Sequence, residues 1–226
     1  MSLKGIIFDF DGVLLESEAA GNRHLAALLT DLGFETSLED ALTHYTGLSG
    51  RAFLDAIEQR TGAVLPPAFY ASRAEEDARV LREGLREVKG AVDFVRSLAP
   101  TLPKAVASSS STHWIRTHLT HLGIEDVFGQ HVYSGKEHVE RGKPAPDLYW
   151  HAANRIGVDI RRAVIIEDSE VGATGAVASG GYVIGLIAGS HCLPGHADRL
   201  RKLGVHAIAP DFAEVARIIA SGPAAR

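Results

Sequence analysis

The stretch Ile6-Ile7-Phe8-Asp9-Phe10-Asp11-Gly12-Val13 decides how this chain is read. An apolar, β-branched run ends abruptly in two acids and a glycine. That is the pattern of a buried parallel strand releasing its charges at its carboxyl end. In open α/β sheets, ligands bind in the crevice at those carboxyl ends. Side chains alternate along a strand, but this strand stops here, so a turn can bring Asp9 and Asp11 toward one place. Two carboxylates held close disfavour each other's ionisation unless a cation lies between them. A hard divalent ion such as Mg²⁺ suits such oxygens. Acids at strand ends are also common turn formers, so the motif alone leaves both readings open.

Working outward, three further β-rich runs stand out at 103–107, 162–166 and 182–187, beside the first at 4–8. A weaker run lies at 205–208, and His131-Val132-Tyr133 adds a short intermediate one. Helical patterns at 90–98, 112–122, 146–156, 170–179 and 195–203 separate most of them. Such alternation predicts a parallel sheet with helical crossovers. Residues 16–88 break the rhythm and are almost wholly helical in pattern. Leu25, Leu28, Leu29 and Leu32 share one face; Gly33 stops that helix, Leu38-Glu39-Asp40 starts another, and Pro66-Pro67 begins a further one. A block this long cannot be a plain βα connection. It predicts an inserted helical cap at 16–87 and a core of 1–15 with 88–226, with crossings near 14–18 and 84–90, where Gly84 and Gly90 supply hinge freedom.

The formal charge of −5 argues against non-specific nucleic-acid or anionic-membrane binding. One cysteine, Cys192, excludes an internal disulfide framework and a thiolate-based zinc site, and reads as an ordinary small side chain. No charged leader with an apolar core opens the sequence, and no stretch is long enough to span a bilayer. The expectation is a cytoplasmic protein, a monomer or weak homodimer, with no membrane or nucleic-acid partner. The Ser-Gly-Pro-Ala-Ala tail at 221–225 is the only low-complexity stretch.

Three more motifs fall at strand ends. Val106-Ala107-Ser108-Ser109-Ser110-Ser111-Thr112 opens a helix; N-capping explains one of these hydroxyl residues, not five. Such a run also presents hydroxyls and free N–H groups to an anion. Arg141-Gly142-Lys143-Pro144-Ala145-Pro146-Asp147 sets a lysine in a rigid turn before a helix. Val164-Ile165-Ile166-Glu167-Asp168-Ser169 again ends an apolar strand in adjacent acids. One parallel sheet would deliver all four motifs to the same edge. A metal held by Asp9 and Asp168 would then face Lys143 and a ring of donors, leaving a gap that fits a phosphoryl group. Phosphoryl transfer asks mainly for positioning and charge neutralisation, with an aspartate able to act as nucleophile and a second carboxylate as acid and base.

At these residues the chain resembles the haloacid dehalogenase superfamily, in its phosphatase branch with a helical cap inserted after the first strand. The likeness spans essentially the whole chain. It implies a doubly wound, Rossmann-like parallel-sheet core and a small phosphorylated metabolite as substrate. By that resemblance Asp9 is the nucleophile, while Asp11 protonates the leaving oxygen and later activates water. Ser108, Ser109, Lys143 and Gly12 would hold the phosphoryl group. Mg²⁺ would be bound by the Asp9 carboxylate, the Asp11 carbonyl and Asp168, with Glu167 in or near the second sphere.

Absences sort the branches. Carbon–halogen-cleaving members lack an acid at the position of Asp11. Phosphonate-cleaving members need a cap lysine, and none occurs between Lys4 and Lys89. The β-phosphoglucomutase branch carries a cap histidine where this chain has Gly21, with His24 nearly a helical turn off register. Hydrolysis is therefore favoured over a mutase, and Lys143-Pro144-Ala145-Pro146-Asp147 looks most like sugar-phosphate and phosphogluconate phosphatases. A receiver-like regulatory module shares the acid pair, hydroxyl and lysine, but would place its phosphorylated aspartate on a middle strand with no helical insertion. In the cap, Tyr45-Thr46-Gly47-Leu48-Ser49-Gly50-Arg51 resembles a specificity loop. Arg51 would bind a substrate carboxylate or hydroxyls, or else simply begin the next helix on its solvent face. The eleven histidines, including His118 and His121 at i, i+3, are read as forming no site, and Trp114 and Trp150 as packing residues.

Overall fold

The structure, a computed structural model, describes residues 3–48 and 50–222. Ser49 of the glycine-punctuated loop and most of the 221–225 tail therefore lie outside the described residues. The chain divides into two compact units, Met1–Glu16 with Leu85–Arg226, and Ser17–Gly84.

The first unit begins with β1 (Gly5–Phe8); the second is built from α1 (Ser17–Asp31), α2 (Leu38–Tyr45), α3 (Gly50–Thr61) and α4 (Pro67–Glu83). The first unit then resumes with α5 (Ala91–Ser97), β2 (Lys104–Ser108), α6 (Thr112–His121), α7 (Glu125–Phe128) and β3 (Val132–Ser134). It continues through α8 (Asp147–Arg155), β4 (Ala163–Glu167), α9 (Glu170–Ser179), β5 (Tyr182–Leu186), α10 (His196–Lys202), β6 (Ala207–Ala209) and α11 (Phe212–Ser221).

All six strands run parallel in the order β3-β2-β1-β4-β5-β6. The chain travels outward from β1 to β3, then crosses back to β4 and travels the other way. The reversal falls between β1 and β4, where such folds open their ligand crevice. Both sheet faces are covered, which explains the unbroken apolar runs. Ile6 and Phe8 pack with Val106, Ile166, Phe94, Ile115 and Phe212, whereas Ile7 between them joins Ala105, Ile165, Leu148 and Tyr149 on the opposite face. Side chains in a strand point alternately to the two faces.

Register then places the site. Phe8 pairs with Val106 on one side and with Ile166 on the other, and the Asp9 N–H extends the ladder to the Ile166 carbonyl at 2.9 Å. Asp9, Ser108 and Glu167 thus emerge together at the carboxyl edge. The helical unit has its own core of Leu25, Leu28, Leu29, Ala41, Tyr45, Ile57, Leu65 and Phe69. Its α2 starts with a reciprocal Ser37–Asp40 capping box, and α4 carries Pro67 in its first turn. Where the chain leaves and re-enters the sheet unit, Leu15 bridges Glu87 and the Val88 N–H bonds the Leu14 carbonyl at 3.0 Å. These bonds tie 85–88 to the first unit. Helix α11, N-capped by Asp211, is not among the segments read from periodicity.

Candidate active site

Three elements bring the charges of the sheet edge together. Asp9 follows β1, Glu167 ends β4, and Lys143 comes from the turn before α8, whose Lys143–Pro144 peptide is cis. Lys143 Nζ donates to Asp9 Oδ1 at 2.5 Å and to Glu167 Oε1 at 2.6 Å, with only 4% of its side chain exposed. Tyr149, on α8, donates its hydroxyl to the same Glu167 oxygen at 2.9 Å. Glu167 Oε2 accepts the Asp168 N–H, the Ser169 N–H and the Ser169 hydroxyl. Gly172 makes this closeness possible: a Cβ there would lie 1.7 Å from Glu167 Oε1. Glu167 therefore has a partner on each oxygen and orients Lys143.

Burial raises the pKa of Asp9 well above the ordinary range, and the Glu167 and Asp168 charges add to this, with Lys143 opposing in part. Burial would also raise Glu167, but the charge and hydrogen bond of Lys143 outweigh it and hold Glu167 low. Lys143 is held protonated by Asp9 and Glu167 against the pull of burial. Asp168 is pushed up, first by burial.

These residues fit a divalent cation. Asp9, Glu167 and Asp168 each offer an oxygen, all within 4.8 Å of one another. Lys143 pairs with Asp9 and Glu167, and Asp168 is met by His191. Asp168 Oδ1 is buried and has no hydrogen-bond partner, a condition that costs free energy unless a proton or cation meets it. An all-oxygen donor set is what Mg²⁺ takes.

Asp11 stands beside this group. Its Oδ2 accepts from Ser110 Oγ at 2.6 Å and from Ser108 Oγ at 3.3 Å, and its Oδ1 accepts from the Trp114 indole at 3.1 Å. Trp114, read from sequence as packing, thus holds an acid of the first motif. Ser108 is buried and also accepts the Ser110 N–H, Ser109 is exposed, and Ser111 caps α6 by accepting the Trp114 N–H at 3.2 Å. Gly12, which the resemblance implies at the phosphoryl group, gives its N–H to the Leu15 carbonyl at 2.8 Å. Gly12 also supplies room, since a Cβ would lie 2.1 Å from Asp168 Oδ2.

Arg51, in the other unit, is open to solvent and paired within α3 to Asp55 at 2.7 Å and Glu58 at 3.3 Å. His118 is buried with Nδ1 against the Trp114 carbonyl, and its ring centroid lies 6.1 Å from that of His121. Sequence reading missed His191 and His196. His191 Nε2 lies 2.8 Å from Asp168 Oδ2, and His196 Nε2 lies 2.5 Å from the Asp168 carbonyl oxygen. Burial would lower the His191 pKa, but its bonds to Asp168 and Cys192 and the Asp168 charge push it up to about 11. The signal available was the crowding of His191, Cys192 and His196 just past a strand end.

The fold is a doubly wound parallel sheet with acids, a hydroxyl and a lysine gathered at its switch point. The chain belongs to the haloacid dehalogenase-like hydrolase family, whose model matches residues 6–186. It is 25% identical to the 6-phosphogluconate phosphatase of Escherichia coli, over 85% of this chain and 86% of that one. It is 30% identical to the fructose-1-phosphate phosphatase of the same organism, covering 78% and 92% of the two chains. Among solved structures, a haloacid dehalogenase-family hydrolase from Deinococcus radiodurans, with bound phosphate and sodium, superposes with a TM-score of 0.79 at 31% identity, covering 94% of this chain and 93% of that one.

Proposed function

We propose that the protein is a Mg²⁺-dependent phosphatase that hydrolyses a small phosphorylated sugar or sugar acid through an aspartyl-phosphate. The observation that carries this reading is the buried cluster of Asp9, Lys143, Glu167 and Asp168, with the open Asp168 Oδ1 at its edge. The sugar-phosphate and phosphogluconate phosphatases among its relatives, and phosphate in a structural neighbour, support the substrate class.

The Asp9 carboxylate, Asp168 and the Asp11 carbonyl would hold the ion. When bound, it would neutralise Asp9 against its acidic neighbours and screen the substrate's phosphoryl oxygens. The rest falls to the chain. An Asp9 oxygen attacks phosphorus; a bond from Asp9 to phosphorus forms and the bond to the ester oxygen breaks. Asp11 gives its proton to that departing oxygen. To do so its carboxyl must exchange Ser110 and Trp114 for the substrate. Water then attacks phosphorus, Asp11 takes its proton, and the bond to Asp9 breaks to release phosphate. Lys143 stays beside Asp9, where its ammonium can meet charge on the transferring group, held there by Glu167, which Tyr149 fixes in turn. Ser108 supplies a hydroxyl at the same edge.

The test is a screen of phosphate esters, read as released inorganic phosphate with Mg²⁺ and again after chelation. Sugar and sugar-acid phosphates should be turned over, and activity should vanish with chelator and return with Mg²⁺. Full turnover in chelator would remove the cation from the mechanism. Isomerised product that depends on a bisphosphate, without phosphate release, would make the enzyme a mutase.

A further inference from the structure

The loop after β5, residues 187–195, does something the four sheet-edge motifs do not require. Its Ser190 N–H and hydroxyl bind the Glu16 carboxylate, the latter at 2.5 Å, which fixes the loop against the turn leaving β1. The next residue, His191, is thereby set against Asp168, with side chains 1% and 2% exposed respectively. Two glycines clear the space for its ring. A Cβ at Gly189 would lie 2.4 Å from His191 Cε1, and one at Gly12 would lie 2.9 Å from the same atom.

Hydrogen bonding settles which nitrogens donate. His191 Nδ1 has no partner and Nε2 faces a carboxylate oxygen, so the proton sits on Nε2 in either charge state. His196 Nδ1 receives the Arg199 guanidinium at 3.1 Å, which leaves its Nε2–H to donate to the Asp168 carbonyl. Asp168 is therefore held at Oδ2, at its carbonyl and, through its own N–H, at Glu167. Only Oδ1 is left.

We infer that His191 and His196 are positioning residues that lock Asp168 with Oδ1 presented to the cation. This rests on the cation reading above. Partners behind a metal ligand fix its rotamer before the ion arrives, and losing one typically weakens affinity by about 10–100-fold. Cys192 Sγ lies 3.5 Å from His191 Nε2, on the nitrogen that also faces Asp168, and the ligand atoms of His191, Cys192 and His196 lie within 4.8 Å of one another.

The test is isothermal titration calorimetry of Mg²⁺ into the substrate-free protein. His191→Phe fills the space without a donor and should weaken Mg²⁺ binding by about 10–100-fold. His191→Gln, whose amide reaches the Nε2 position, should stay within about threefold of the parent. If the Phe variant fails to fold by circular dichroism, His191→Asn takes its place, being too short to reach Asp168. Unchanged Mg²⁺ affinity in a folded Phe or Asn variant overturns the assignment. So does tight Zn²⁺ binding that Cys192→Ser abolishes, because the histidine nitrogens would then belong to that ion. A parent protein that takes up no Mg²⁺ at all overturns the cation reading itself, and is told apart because every variant then matches the parent.

Discussion

Both units of this chain carry exposed arginine ion pairs, but the sheet unit also buries charge. In Ser17–Gly84 the ion pairs described all involve an arginine open to solvent: Arg51 with Asp55 and Glu58, Arg60 with Asp40, and Arg79 with Glu76 and Glu83. Its one buried polar side chain among the described residues is Asn22. The sheet unit has exposed arginine pairs too, such as Arg116 with Glu125 and Arg161 with Asp159, and in addition buries Asp9, Glu167, Asp168 and the Lys143 ammonium within one cluster. Exposed pairs form and break in water at little net gain. Buried ones must overcome a desolvation cost of several kcal/mol per ion, so a buried cluster of three carboxylates is poor design for stability alone. On the proposed mechanism the chemistry belongs to the sheet unit, and the helical unit is left to be tested for a role in substrate choice.

The sharpest way to break that contrast is Asp9→Asn. An amide still accepts from Lys143 but cannot attack phosphorus, so turnover should fall by about 10⁴-fold or more. The variant should melt no lower than the parent, since a buried charge in an acidic cluster has been removed. Near-parental turnover would move the nucleophile elsewhere.

Lys143→Met comes next. Without its ammonium, charge on the transferring group loses a preorganised partner, and kcat/KM should drop by about 10²–10³-fold. Asp9 and Glu167 would also be left facing each other in the interior, at a cost of about 3–5 kcal/mol. Arg79→Met in the helical unit removes two ion pairs and should barely move the melting temperature. Equal destabilisation by the two variants would erase the distinction between the units.

The smallest effect is expected at Arg51. Its guanidinium is already engaged by Asp55 and Glu58 on its own helix. Arg51→Ala should therefore change the ratio of kcat/KM for a sugar-acid phosphate over a small aryl phosphate by no more than about twofold. A tenfold fall in that ratio, confined to the anionic ester, would instead give Arg51 a place in substrate recognition.

What the sequence by itself determined is everything written in local periodicity and at strand ends. Apolar runs closed by Asp9, Glu167 and Asp168 predicted a parallel sheet with acids at one edge, and the almost wholly helical pattern of 16–88 predicted an inserted block. Strand ends shifted by only a residue or so against the structure, because burial on both faces leaves no other register for those runs. What only the tertiary structure decided is which polar groups meet. Trp114 reaches Asp11 across 103 residues, and His196 reaches the Asp168 carbonyl across 28. Neither pairing leaves a periodic trace, because each depends on separate elements arriving at one edge. The same holds for Gly12 and Gly172. They read as turn or helix residues in the sequence, but are needed because Asp168 and Glu167 occupy the space a Cβ would fill. Local pattern encodes which face a residue presents, and only packing determines what that face encounters.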